Sequence, residues 1–146
     1  MKIVPMDRSH VADIVEMEKL YFSDPWSENA FLSELNSRFS FWLVAVEDDR
    51  VIGYVGAQTA LDQADMMNLA VREEHRRQGV ADKLVQALIN VLKAQNVFVL
   101  MLEVRVSNAP AIALYEKLGF CQVGRRPNYY FKPREDALIM RKEWEL

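Results

Sequence analysis

The chain has 146 residues, 51% hydrophobic and 27% charged, which fits a single domain over residues 1–146 with a substantial core. Its net charge of −3 argues against a nucleic-acid binder, which needs a basic face for phosphates, and one cysteine with two histidines leaves no disulfide and no thiolate zinc site, so no metal is expected. No apolar run approaches the roughly 20 residues of a membrane span, and Met1-Lys2-Ile3-Val4-Pro5 lacks a signal-peptide layout, so a soluble cytoplasmic protein without membrane partners is expected.

Apolar positions Val11, Ile14, Val15, Met17, Leu20 and Tyr21 have helical spacing, with Ser9 as the expected N-cap. Pro25-Trp26-Ser27 breaks the pattern, and Ser27 caps a second short helix reaching about Asn36. Phe41 to Glu47 and Val51 to Thr59 read as paired strands across an Asp48-Asp49 turn, and Met66 to Val71 as a third strand. From Gly79 to Asn96 the period lengthens, with Val80, Leu84, Val85, Leu88, Ile89 and Leu92 on one buried helix face. Val97 to Val106 is a strand, and Ala109 to Leu118 a helix between an Asn108 cap and a Gly119 stop. Strands near Cys121 to Arg126 and Ala137 to Lys142 close the chain. This order predicts an α/β fold: a mixed, mainly antiparallel sheet with at least one strand-helix-strand crossover.

Two segments carry chemistry. Arg76-Arg77-Gln78-Gly79-Val80-Ala81 leads into the long helix, whose start exposes unpaired N–H groups suited to an anion. Gly79 and Ala81 leave the backbone bare, and two arginines where the helix dipole disfavours cations fit a bound polyanion. Read alone, the segment is also compatible with a solvated basic turn. In the second, Glu103 interrupts an apolar strand on the face of Met101 and Arg105, and Tyr115 follows in the next helix. Acyl transfer to an amine uses such a pair: a carboxylate takes the ammonium proton, a hydroxyl protonates the leaving thiolate, and a backbone N–H holds the oxyanion. Glu103 paired to Arg105 at the surface, and Tyr115 as a core aromatic, are the alternatives.

Together these segments resemble the GNAT superfamily of N-acetyltransferases over essentially the whole chain, through the Arg76 to Ala81 loop and the stretch Asn108 to Phe120. The resemblance implies a GNAT-like sheet flanked by helices on both faces, with acetyl-CoA as co-substrate. It implies that Leu69, Ala70 and Val71 line the pantetheine arm, that Arg76, Arg77, Gln78, Gly79, Val80, Ala81 and Asp82 cradle the pyrophosphate, and that Asn108 contacts CoA. Glu103 becomes the general base and Tyr115 the general acid. Pro25-Trp26-Ser27, Asn68 to Val71, Leu102 to Arg105 and Arg126-Pro127-Asn128-Tyr129-Tyr130 are similar to the bacterial RimI branch. That branch acetylates the N-terminal alanine of a small-subunit ribosomal protein.

The branch implies that Tyr129 and Tyr130 lie near the acceptor peptide, with aromatic strand pairing as the alternative. Trp26 is either an acceptor wall or an anchor for the first helices. Two departures stand out: Ala81 replaces a second glycine, and only Phe131-Lys132-Pro133 separates Tyr130 from Arg134. Acetylation of a small amine such as a polyamine or aminoglycoside, and a non-catalytic acyl-CoA-binding module, are competing readings. The sequence leaves the oligomeric state open.

Overall fold

The computed structural model describes residues 1–146. Strands β1 (Lys2–Pro5), β2 (Ser40–Glu47), β3 (Arg50–Ala60), β4 (Gln63–Val71), β5 (Val99–Arg105), β6 (Cys121–Phe131) and β7 (Arg134–Glu143) form one sheet in the order β1-β2-β3-β4-β5-β7-β6. Helices α1 (Val11–Tyr21) and α2 (Glu28–Leu35) cover one face, and α3 (Val80–Ala94) and α4 (Ala109–Lys117) the other. Only β4 and β5 run parallel, joined by the α3 crossover.

Side-chain alternation builds the two layers. In β2, Leu43 and Ala45 face α3, while Trp42 and Val44 face α1 and α2. All six apolar positions of the α3 stripe are buried. Gly56 is required under Trp42, because a Cβ there would lie 2.1 Å from the indole ring. Asp48 and Asp49 take φ 52° and 62°, the left-handed pair that lets a two-residue hairpin follow strand twist.

The expected caps divide. The Ser27 hydroxyl accepts from Ala30 N–H at 3.1 Å, and Asn108 Oδ1 accepts from Ala111 N–H at 3.3 Å. Ser9 does not cap the first helix. Its N–H donates to Asp7 Oδ1 at 2.8 Å, in a 3₁₀ turn that precedes α1 and begins at Arg8. Asp7 lies one residue ahead of that turn and wins the capping position. Strand β1 was not expected, and β6 and β7 run on to a Lys132-Pro133 turn rather than stopping at Arg126 and Ala137.

One irregularity makes the cleft. β4 pairs with β5 only at Gln63↔Val99, Ala64↔Leu100 and Asp65↔Met101. Beyond that rung β4 continues beside β3 to Val71, and β5 beside β7 to Arg105. On β4, Gly56 of β3 faces Asn68 and Ala57 faces Met66, which leaves Met67 as an extra residue. Such a bulge bends and overtwists its strand, so β4 turns away from β5 and the two edges fork.

Candidate active site

The fork exposes the edge of β4 from Met66 to Val71, which includes Leu69, Ala70 and Val71, opposite the upper half of β5. Past the end of β4, the chain reaches α3 through residues 72–79. Arg77 has φ 62° and Gly79 φ 80°. A left-handed non-glycine residue costs about 1–2 kcal/mol, so the loop holds a conformation its sequence does not favour. The first bond of α3 runs from Lys83 N–H to Gly79 C=O at 3.1 Å, and the N–H groups of Arg77, Gln78, Gly79, Val80, Ala81 and Asp82 have no protein acceptor. A row of free donors at a helix start, with no side chain on Gly79, fits a diphosphate.

The two arginines of the loop differ. Arg76 turns back, donating from Nε to Val71 C=O at 2.9 Å and lying 4.6 Å from the Tyr21 ring centroid. Tyr21 in turn accepts from Glu73 N–H through its hydroxyl at 2.9 Å. Arg76 therefore anchors the loop to α1, while Arg77 is exposed and unpaired.

On β5, Leu100, Leu102 and Val104 enter the α3-side core, so Met101, Glu103 and Arg105 point to the other face. Glu103 does not pair with Arg105. Its Oε1 lies 3.4 Å from Arg126 Nε of β6. Arg105 is engaged elsewhere, by Glu135 at 3.2 Å, the Pro133 and Lys132 carbonyls at 2.9 and 3.1 Å, and the Tyr130 ring at 4.3 Å.

Tyr115 enters from α4, packed on the α3 side. Gly119, at φ 95°, ends that helix, with Phe120 N–H donating to Tyr115 C=O at 2.9 Å and Gly119 N–H to Glu116 C=O at 3.0 Å. This αL closure fixes the backbone of Tyr115, and Phe120 packs on its ring at 5.7 Å between centroids. Burial, then the neighbouring Tyr130, push the Tyr115 hydroxyl up to about 12. Burial, followed by Tyr129 and Glu103, does the same to Tyr130, also to about 12. Tyr130 is thus the electrostatic neighbour that Glu103 and Tyr115 share.

Tyr129 and Tyr130 stand edge to face at 5.0 Å on a bulge in β6, where Arg126 faces Ala137 and Tyr130 faces Glu135. Asp136 holds the bulge, accepting from Asn128 N–H and Arg125 Nε, both at 2.8 Å. Those bonds keep its carboxyl below the usual range. Glu135 is likewise held low by Ser107, then Arg105, and its Oε2 accepts from Ser107 N–H at 2.7 Å. Trp26 packs on Phe31 and Trp42 at 5.3 and 5.4 Å, as an anchor of the α1–α2 loop. Sequence reasoning missed the holding roles of Arg105, Glu135 and Asp136, because each acts through backbone groups distant in the chain.

Comparisons with known proteins give the family and the fold. A model of the acetyltransferase (GNAT) family matches residues 11–120. The chain is 43% identical over 119 residues to the [ribosomal protein bS18]-alanine N-acetyltransferase of Escherichia coli K12, covering 80% of this chain and 79% of the relative. A crystal structure of the ribosomal-protein-S18-alanine N-acetyltransferase from E. coli superposes with a TM-score of 0.89 at 34% identity, over 99% of this chain and 94% of that one. The NatC complex bound to Gag peptide and CoA is also similar, with a TM-score of 0.83 at 26% identity, over 99% of this chain and all of the matched one.

Proposed function

The chain belongs to the acetyltransferase (GNAT) family, and we propose that it acetylates the N-terminal α-amine of a protein, with the N-terminal alanine of a small-subunit ribosomal protein as its natural acceptor. That it is an acetyl-CoA-dependent N-acetyltransferase follows from the family and from its named relatives. The observation that carries the transfer chemistry is the β4–β5 fork, with a carboxylate on one face and a partly buried tyrosine rising from the other. The relatives' activity on ribosomal protein bS18 supports the choice of acceptor.

Bound acetyl-CoA supplies an activated thioester. The free amides of residues 77–82 hold its diphosphate, the edge from Leu69 to Val71 lines its arm, and Asn108 contacts it near the start of α4. Glu103 takes the proton of the incoming ammonium, directly or through one water, and frees the nitrogen lone pair. A backbone N–H on the open edge of β4 donates to the oxygen that becomes negative during attack. Tyr115, kept protonated by burial, gives its proton to the departing sulfur as the C–S bond breaks, and the second nitrogen proton, lost as the amide forms, passes through water to return the phenolate to its neutral form. Base and acid approach from opposite faces, so amine and thiol need not cross. Tyr129 and Tyr130 hold the acceptor backbone by hydroxyl hydrogen bonds.

The test is a peptide with an N-terminal alanine and an internal lysine, treated with enzyme and acetyl-CoA, then fragmented in a mass spectrometer. Acetyl on the alanine nitrogen supports the reading. Acetyl confined to the lysine overturns it.

A further inference from the structure

Glu18 is fully buried at 0% exposure, within an aromatic cluster of Trp26, Phe31, Trp42 and Tyr54. A carboxylate there is costly unless it is hydrogen-bonded, and this one accepts from three donors. Trp26 N–H donates to Oε1 at 2.9 Å, Asn68 Nδ2 donates to Oε2 at 2.9 Å, and the Tyr54 hydroxyl donates to the same Oε2. Burial, and then the contact with Glu18, hold the Tyr54 hydroxyl well above its ordinary range.

Position gives these bonds their meaning. Asn68 follows directly on the Met67 bulge that opens the fork, so its side chain is the first handle beyond the bend in β4. Trp26 N–H belongs to the α1–α2 loop, outside any helix or strand. That loop has no backbone ladder of its own, and its tie to the sheet through Trp26 N–H runs through Glu18. One carboxylate on α1 therefore links the loop to the strand edge proposed to present the acetyl group.

We propose that Glu18 is a positioning residue for acceptor binding, which sets the spacing between the α1–α2 loop and the bent half of β4. This rests on the acceptor reading above. A Gln in its place can keep an oxygen toward Trp26 N–H, a backbone donor that cannot reverse. Its amide nitrogen then faces Tyr54 and Asn68, which must both turn to accept, and the charge-assisted bonds are lost. The fold survives this exchange, and the spacing loosens.

The experiment compares Glu18→Gln, Asn68→Ala and Tyr54→Phe with the wild type, using an alanine-starting peptide. Glu18→Gln and Asn68→Ala should each raise the peptide KM about tenfold, the size of one lost charge-assisted bond. The acetyl-CoA Kd, read by calorimetry, should stay unchanged. Tyr54→Phe removes the donor that comes from β3 rather than from the α1–α2 loop or β4, leaves the β3–β4 backbone pairing in place, and should lower Tm with little effect on the peptide KM. Equal KM shifts in all three variants, or a loss of Tm with both substrates' constants unchanged, would overturn the proposal. Amide exchange gives a readout free of any acceptor. Protection at Trp26 and in β4 beyond Met67 should fall together in Glu18→Gln. Independent behaviour of the two segments contradicts the proposal even if the peptide proves to be the wrong acceptor.

Discussion

Arg126 Nε stands 3.4 Å from Glu103 Oε1, with the arginine side chain 56% and the carboxylate 26% exposed. The proposed base is thus covered by a cation that solvent reaches freely. An exposed pair of this kind contributes about 0–1 kcal/mol, so an entering ammonium can take the place of Arg126 at small cost. Arg126→Ala should change kcat by less than about fivefold. Glu103→Gln should lower kcat/KM about 10²–10⁴-fold near neutral pH, with the deficit shrinking as the acceptor amine loses its own proton. A pH–rate profile for both variants checks this, and an unchanged profile for Glu103→Gln removes it as base.

Tyr115 makes a second prediction. A tyrosine raised to about 12 favours its neutral form in the fold, so the proton donor persists through mild alkali. The wild type should keep its turnover to about pH 10, where an ordinary tyrosine is already half ionised. Tyr115→Phe should slow kcat about 10²-fold or more, as loss of a general acid does, with acetyl-CoA binding intact by calorimetry. Lost binding would make Tyr115 a packing residue.

The phosphate loop is tested at Gly79. A Cβ there meets nothing within 4 Å, so only the φ of 80° opposes a side chain. Gly79→Ala should weaken acetyl-CoA binding about tenfold, through a strain of roughly 1–2 kcal/mol on the bound loop conformation. The peptide KM should not follow, and steady-state titration of both substrates separates the two effects.

Asp136 links the acceptor bulge to acid. Its carboxyl is held below the ordinary aspartate value, chiefly by Asn128 N–H and then by Arg125. Its contribution is therefore present above pH 3.8 and lost as pH falls through the depressed folded value. Amide exchange at Asn128 should rise at that acid end while α3 stays protected. Asp136→Ala should raise the peptide KM at neutral pH and leave the acetyl-CoA Kd unchanged.

Periodicity and capping made much of the fold legible. The α3 stripe, the Ser27 and Asn108 caps and the Gly119 stop each depend on residues within one or two turns. Strand β1 was not legible, because four residues carry no period and its order comes from pairing with β2. Ser9 lost to Asp7 because both are good caps and only the backbone decides between them. The site divides in the same way. Glu103 and Tyr115 were readable as breaks in apolar patterns, whereas the partner of Glu103 sits 23 residues away by number, at Arg126. Glu18 had left a signal: it falls four residues after Ile14 and seven after Val11, on the buried stripe of α1.

The central claim is that the fork serves a protein N-terminus. It is tested most directly by kcat/KM for an alanine-starting ribosomal peptide, measured beside the same peptide with a blocked N-terminus, an internal-lysine peptide, a polyamine and an aminoglycoside. The account predicts that the free N-terminal alanine peptide leads by about 10²-fold or more, the scale a site gains by holding a specific backbone through several hydrogen bonds. A polyamine or aminoglycoside that matched or exceeded it would contradict the account.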